Sequence, residues 1–162
     1  MNALALVTAV LLHAAPDDVA ALAAIVEGAE EVHISLVELS FARFDEAEGP
    51  PPRLEVRSPI RKLDPKDARE VSRIVAERAL SPEPPKKLCG FNPDLRLTFK
   101  KGTQSVQAIF CFSCSDVLIQ RRDGRPYGLS REFRGHKAAL EALVARIYAD
   151  LPEKERELGS GF

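Results

Sequence analysis

Three cysteines, Cys89, Cys111 and Cys114, carry the most distinctive chemistry in this 162-residue chain. The last two form a Cys-x-x-Cys in IFCFSCSD, residues 109–116. Each chemistry open to them makes its own geometric demand. Thioredoxin-type exchange needs the first cysteine at a helix N-terminus, where the dipole and free N–H groups stabilise a thiolate. The flanking SVQAIF and SDVLIQ are strand-like instead. A structural zinc site needs four ligands, commonly supplied by two Cys-x-x-Cys knuckles. Here there is one such pair, Cys89 is followed by GFNP, and the fourth position of a Cys₃His set falls to His136 at the start of the last helix. His13 and His33 offer no ligand spacing. A disulfide is the third option, with three possible pairings. In an unbroken strand, residues three apart face opposite sides, which turns Cys111 away from Cys114 and leaves Cys89 as the partner of either. A turn at Ser113 removes that argument. A crosslink from Cys89 closes a loop of more than twenty residues and contributes about 3 kcal/mol. Free buried cysteines acting as small hydrophobes need no chemistry at all.

No Gly-x-Ser-x-Gly, phosphate-binding glycine loop, dinucleotide fingerprint or His-Glu-x-x-His occurs in the sequence. The nearest approach to a catalytic set takes Cys111 or Cys114 as nucleophile, His33 or His136 as base and Asp116 as orienter. Such a set can be assembled from almost any chain with three histidines, so no catalytic residue is assigned. The other chemistry-bearing segment is RRDGRPYGLSREFRGHK, residues 121–137, in which Arg121, Arg122, Arg125, Arg134 and Lys137 are candidates for binding an anion. Net charge is −1, with balances of −6 over residues 1–85, +7 over 86–146 and −2 over 147–162. That total does not suit a nucleic-acid binder, and the simplest reading is of solvated faces on a mixed-charge domain.

The elements that must position these residues follow from periodicity. Asp17 and Asp18 after Pro16 offer an N-cap, and Val19, Leu22, Ala23 and Val26 recur at helical spacing, giving a helix over 17–30. EVHISLVEL alternates as a strand, DEAEGPPPR (45–53) is a stiff loop, and LEVRS is a short strand ending near Pro59. The clearest helix start is LDPKDAREV, with Asp64 as N-cap, Pro65 at the first position and Asp67 in the first turn. Its buried stripe is Ala68, Val71, Ile74, Val75 and Ala79. SPEPP (81–85) ends it. Leu95, Leu97 and Phe99 then face one way and Arg96, Thr98 and Lys100 the other, a strand with one solvated face. Lys101 and Gly102 make a turn, and Val106, Ala108, Phe110 and Phe112 share a face of the next strand. Asp123-Gly124 is the strongest hairpin signal. A last helix carries Leu140, Leu143, Val144, Ile147 and Leu151, closed by Pro152. The expected fold is α+β: a single antiparallel sheet, a meander of three or more strands, with helices packed on a face.

Residues 3–12, ALALVTAVLL, are too short to cross a bilayer as a helix. They read either as the apolar core of a signal peptide spanning 1–16, with Ala14 and Ala15 near a cleavage point, or as a buried N-terminal segment. No Lys or Arg precedes the run. An exported, periplasmic location is slightly favoured, where disulfides persist. One domain is expected over 17–155, a size that can bury a core without crosslinks, with a flexible tail over 156–162.

Cys89, Phe91 and Pro93, an alternating strand and hairpin, CFSC and a Leu- and Ala-rich last helix together resemble an uncharacterised family of bacterial proteins. In that family a C-x-F-x-P segment precedes C-F-x-C by about twenty residues. The resemblance spans roughly residues 30–155 and implies an architecture, a cysteine motif and export, with no established activity. The family commonly has an acidic or polar residue directly after the last cysteine; here Ser115 stands before Asp116. The expected function is that of a small non-catalytic, exported bacterial domain with a structural cysteine motif. It acts by binding another protein or an envelope component and needs no cofactor. The alternatives are thiol redox or zinc binding through Cys89, Cys111, Cys114 and His136, and anion binding through 121–137.

Overall fold

The computed structural model describes residues 16–40, 53–79, 91–121, 126–127 and 129–159. Eight strands form one antiparallel sheet. In chain order the elements are α1 (Pro16–Glu27), β1 (Glu31–Ser40), β2 (Arg53–Val56), β3 (Arg61–Lys62), α2 (Pro65–Ala79), β4 (Leu95–Lys101), β5 (Gln104–Cys111), β6 (Asp116–Arg121), β7 (Pro126–Tyr127), β8 (Leu129–Glu132), α3 (Lys137–Ile147) and α4 (Glu153–Arg156), with a 3₁₀ turn at Arg134–His136. The sheet runs β2-β1-β4-β5-β6-β7, with β3 sharing the β2 edge of β1 and β8 sharing the β7 edge of β6. This is the α+β architecture expected from the periodicity.

Strand alternation explains how the sheet is registered. Ile34 lies opposite Leu97, Leu97 opposite Ala108, and Ala108 opposite Ile119. The rows on either side are Leu36-Leu95-Phe110-Val117 and Val32-Phe99-Val106. All of these are buried on one face. A slip of one residue would turn the whole set outward, so register is strongly specified. Leu22, Ile25 and Val26 of α1, Val71, Ile74 and Val75 of α2 and Leu140, Leu143 and Val144 of α3 belong to the same cluster. The β4–β5 turn uses Gly102 at φ +55°, where a side chain would be strained.

The other face departs from expectation. Arg96 and Thr98 are half-buried rather than solvated, and Ser35, Val37, Ile109 and Cys111 on that side are buried. Val37, Ile109 and Cys111 lie outside the helix-packed cluster. Arg96 Nε donates to Ser35 Oγ at 3.2 Å, and burial pushes its pKa down.

The start of α2 is as the sequence predicts. Asp64 Oδ1 accepts from the N–H groups of Lys66 (2.9 Å) and Asp67 (2.8 Å), satisfying two of the helix's orphan donors. Asp67 does more than complement the dipole. Its buried carboxylate receives both Arg146 Nη1 (2.7 Å) and Nη2 (2.8 Å) from α3. That bidentate pair holds the Asp67 pKa below the usual carboxylate value, and it raises that of Arg146. A depressed folded-state pKa contributes stability that is present above the unfolded value, about 3.9, and lost as pH falls through the folded one. Arg146→Met should therefore flatten the acid limb, and urea titrations should show its deficit against the parent shrinking below about pH 4. A deficit constant from about pH 6 to 2 would contradict the pairing.

The last helix is shorter than its apolar stripe. It stops at Ile147 instead of continuing to Leu151 and Pro152, although Leu151 still packs on the core. Pro152 lacks the N–H that would continue the ladder to Tyr148 O, and Arg61 meets the helix end, with Nη1 donating to Ile147 O at 2.6 Å and Nη2 to both oxygens of Asp150 at 2.7 and 2.6 Å. Pro152 then stands as the residue before α4. Of the segment 156–162 expected to be a flexible tail, the described residues end at Gly159, whose N–H donates to Asp94 Oδ1 at 2.9 Å. Arg57 donates to the carbonyls of Glu155 and Glu157 and fixes the approach to it.

Candidate functional site

The Cys-x-x-Cys does not lie within one strand. β5 ends at Cys111, β6 begins at Asp116, and these two residues are the last pair of the ladder. Phe112, Ser113, Cys114 and Ser115 form the turn between them, with Ser115 in the left-handed region at φ +58°. For a residue other than glycine that conformation costs about 1 kcal/mol. The turn folds Cys114 back over Cys111, and the two are joined in a disulfide with Cα atoms 5.6 Å apart, well inside the usual range. This corrects the expectation that Cys111 and Cys114 face apart; the strand periodicity on which it rested stops at Cys111. A four-residue loop closed in this way restrains the unfolded chain by about 2 kcal/mol, less than a crosslink from Cys89 would.

Burial divides the pair. Cys111 is fully buried while Cys114 is half-buried and Ser113 exposed. Because a disulfide sulfur carries no proton, the Ser113 hydroxyl donates to Cys111 Sγ at 3.3 Å, and the Cys114 N–H approaches the same sulfur at 3.4 Å. The turn is also held without sulfur. Asp94 Oδ2 accepts from Phe112 N at 2.7 Å, and Ser115 O accepts from Phe133 N at 2.9 Å. The Phe112 ring stays on the helix side of the sheet, edge-on to Phe133 with centroids 5.1 Å apart.

The other candidate ligands and bases are elsewhere. Cys89 lies outside the described residues. His136 ends the 3₁₀ turn, with Nε2 3.7 Å from Glu77 Oε2. His33 pairs with Thr98, and Thr98 with Gln107, four residues up β5 from Cys111 and so about 14 Å along the strand. Burial lowers the His33 pKa first, and Lys100 lowers it further. Among the described residues no three His, Cys, Asp or Glu side chains gather as a metal site would require. Asp116 is buried directly across the ladder from Cys111.

The basic stretch is spread out. Arg122 and Arg125 lie outside the described residues. Arg121 ends β6, whereas Arg134 and Lys137 follow β8, whose Glu132 pairs with Asp116 at the opposite end of β6, about 17 Å away along the strand. Arg134 is exposed, and Lys137 Nζ stands 6.0 Å above the Phe112 ring.

A second feature escaped sequence reasoning. A groove of about 730 Å³ runs between α2 and the α1–β1 connection. α2 turns a second stripe toward it: Ala68, Ser72 and Ala76 at intervals of four line the floor, and Arg69, Arg73 and Glu77 line the rim one position on. Such spacing places each set in a row along one helix face. Val32 and Leu63 complete the apolar floor, and Glu27, Glu30 and Glu31 stand on the opposite wall. Lys62 Nζ donates to Glu31 Oε1 at 2.6 Å across one end, and the pair lowers the Glu31 pKa. The signal was present in α2 as a second row of small residues beside the apolar one.

Comparison with known proteins adds no relative. No family model, curated protein or solved structure matches this chain. The functional reading therefore rests on the cysteine turn and the groove.

Proposed function

We propose that this protein is a non-catalytic binding domain whose ligand lies in the groove between α2 and the α1–β1 connection. The observation that carries the reading is the groove itself, about 730 Å³ with an apolar floor between an acidic wall and a rim of Arg69, Arg73 and Glu77, in which Arg73 and Glu77 pair at 2.8 Å. Its size falls within the range of ligand sites, and its apolar floor with a limited set of polar groups is the usual composition. Walls of both signs suit a ligand that carries both, such as an extended peptide segment of another protein. The Cys111–Cys114 disulfide and the apolar run at residues 3–12 support maturation in an oxidising, extracytoplasmic compartment.

The test uses Ser72→Trp, which puts an indole on the groove floor at a half-buried position outside the core cluster. Random peptides displayed on phage are selected on the parent protein, and the enriched sequences are synthesised. They should carry both acidic and basic residues and lose at least about tenfold in affinity for Ser72→Trp, a change of about 1.4 kcal/mol. The variant's thermal transition should match the parent's. Peptides that bind parent and variant equally, or the absence of any enriched sequence, would overturn the reading.

A further inference from the structure

We propose that the Cys111–Cys114 disulfide is a thiol–disulfide exchange site, in which a partner thiolate attacks Cys114 and Cys111 is the sulfur that leaves. The unequal burial of the pair sets this direction. Cys111 has 0% of its surface exposed, whereas Cys114 is half-buried beside exposed Ser113. Attack requires access to the sulfur along the S–S bond, and Cys114 is the less buried residue of the pair.

In the first step the electron pair of R–S⁻ forms a bond to Cys114 Sγ, the Cys111–Cys114 bond breaks, and its electron pair leaves on Cys111 as a thiolate. A second R–S⁻ attacking the R–S sulfur of the mixed disulfide then releases Cys114 as a thiolate. Two partner thiols become R–S–S–R, the protein disulfide becomes two thiols, and the two protons lost by the partner thiols end on Cys111 and Cys114. Alternatively the Cys111 thiolate returns to Cys114 Sγ and expels R–S⁻, restoring the starting state.

Two observations favour this chemistry over a purely passive crosslink. First, the leaving sulfur already has its donors. The Ser113 hydroxyl and the Cys114 N–H both approach Cys111 Sγ, at 3.3 and 3.4 Å, and hydrogen bonds to a thiolate make it a better leaving group. Second, the turn has restraints independent of the S–S bond. The Cys111–Asp116 ladder pair, the Asp94 carboxylate on Phe112 N and the Ser115 carbonyl on Phe133 N all hold main-chain atoms of the turn. The dithiol therefore keeps its two sulfurs close enough to reoxidise. The reactant is an alkyl thiol, supplied either by a small free thiol or by a cysteine of another protein. Exchange at this turn does not depend on the groove and does not stand or fall with it.

The experiment places native protein carrying Cys89→Ser in a glutathione redox buffer, quenches with acid, alkylates free thiols and locates adducts by fragmentation mass spectrometry. Mixed disulfide should form on Cys114. Adding Cys111→Ser should raise its steady-state level by at least about tenfold, because no buried thiol remains to expel the glutathione. Ser113→Ala should slow exchange by about three- to tenfold with an unchanged melting transition. A parallel arm replaces glutathione with a reduced dithiol protein at equal thiol concentration; faster exchange there assigns a protein partner, and slower exchange assigns a small thiol. An adduct on Cys111, or a disulfide that resists reduction until denaturant unfolds the chain, would overturn the proposal.

Discussion

Tyr148→Ala should lower the unfolding free energy by about 4 kcal/mol, and Tyr148→Phe by about 1.5 kcal/mol, in urea titrations at neutral pH. Tyr148 follows the last residue of α3 and is fully buried in the main cluster. Its hydroxyl lies 2.8 Å from the Ile34 carbonyl and 3.0 Å from that of Pro59, so one proton is shared between β1 and the break that separates β2 from β3. The Arg61 guanidinium covers the ring at 4.9 Å. Removing the ring opens a cavity where three elements meet, while removing only the hydroxyl takes a donor from the buried Ile34 carbonyl. The phenol also predicts an alkaline limb. Burial raises its pKa above the usual value of about 10, so above that pH the unfolded chain sheds a proton that the folded chain keeps. Stability is thus fully present below about pH 10 and falls as pH rises toward the folded value. Tyr148→Phe should lack that part of the decline; a Phe variant that tracks the parent to about pH 11 would rule it out.

Asp94→Ala should cost about 3 kcal/mol. The Asp94 side chain joins the two parts of the chain nearest the cysteine turn, accepting from Phe112 N at 2.7 Å through one oxygen and from Gly159 N at 2.9 Å through the other. Its backbone is engaged as well, with N–H donating to Phe110 O at 2.8 Å and the carbonyl accepting from Val37 N at 3.0 Å. Alanine keeps those backbone bonds and strands a buried Phe112 N–H, a loss larger than that of one neutral hydrogen bond because the acceptor is a carboxylate. Amide exchange provides the local readout. The Phe112 N–H should lose protection first, and Asp94→Asn, which keeps one carbonyl acceptor, should fall between parent and alanine. Equal protection in parent and Asp94→Ala would remove Asp94 from its role in positioning the turn.

The sheet was legible because its signal is local. Leu95, Leu97 and Phe99, and Val106, Ala108 and Phe110, bury alternate positions on two adjacent strands, and their register rows carry that pattern across. The Asp64-Pro65 helix start is likewise set by neighbours in sequence. The cysteine pairing was not legible, because it depends on a turn through Phe-Ser-Cys-Ser that contains no Gly, Pro, Asn or Asp and puts a serine in the left-handed region. The donor that meets the last carbonyl of α3 is Arg61, 86 residues earlier, and no window along the helix contains that contact. The polar face of β4 misled for a similar reason: an arginine alternating with apolar residues reads as solvated, yet Arg96 is held against Ser35 from a strand 61 residues away. The groove lay between the two outcomes, since its α2 wall is periodic in sequence but its acidic wall comes from the α1–β1 connection.

The interrupted borders of the sheet bear on how the protein behaves in a crowd of its own copies. On one side β2 contributes four residues and β3 two; on the other β7 contributes two and β8 four. A continuous border would offer a row of unpaired N–H and C=O groups on which another chain could add a strand, the first step toward fibrils or runaway polymers. On the β2–β3 side, among the described residues, an incoming strand meets the four residues of β2 and then the break that contains Pro59. Between these borders β1, β4, β5 and β6 have a neighbour on both sides. The same break that carries Pro59 to the Tyr148 hydroxyl thus shortens the free edge on that side, where an added strand would find few ladder partners.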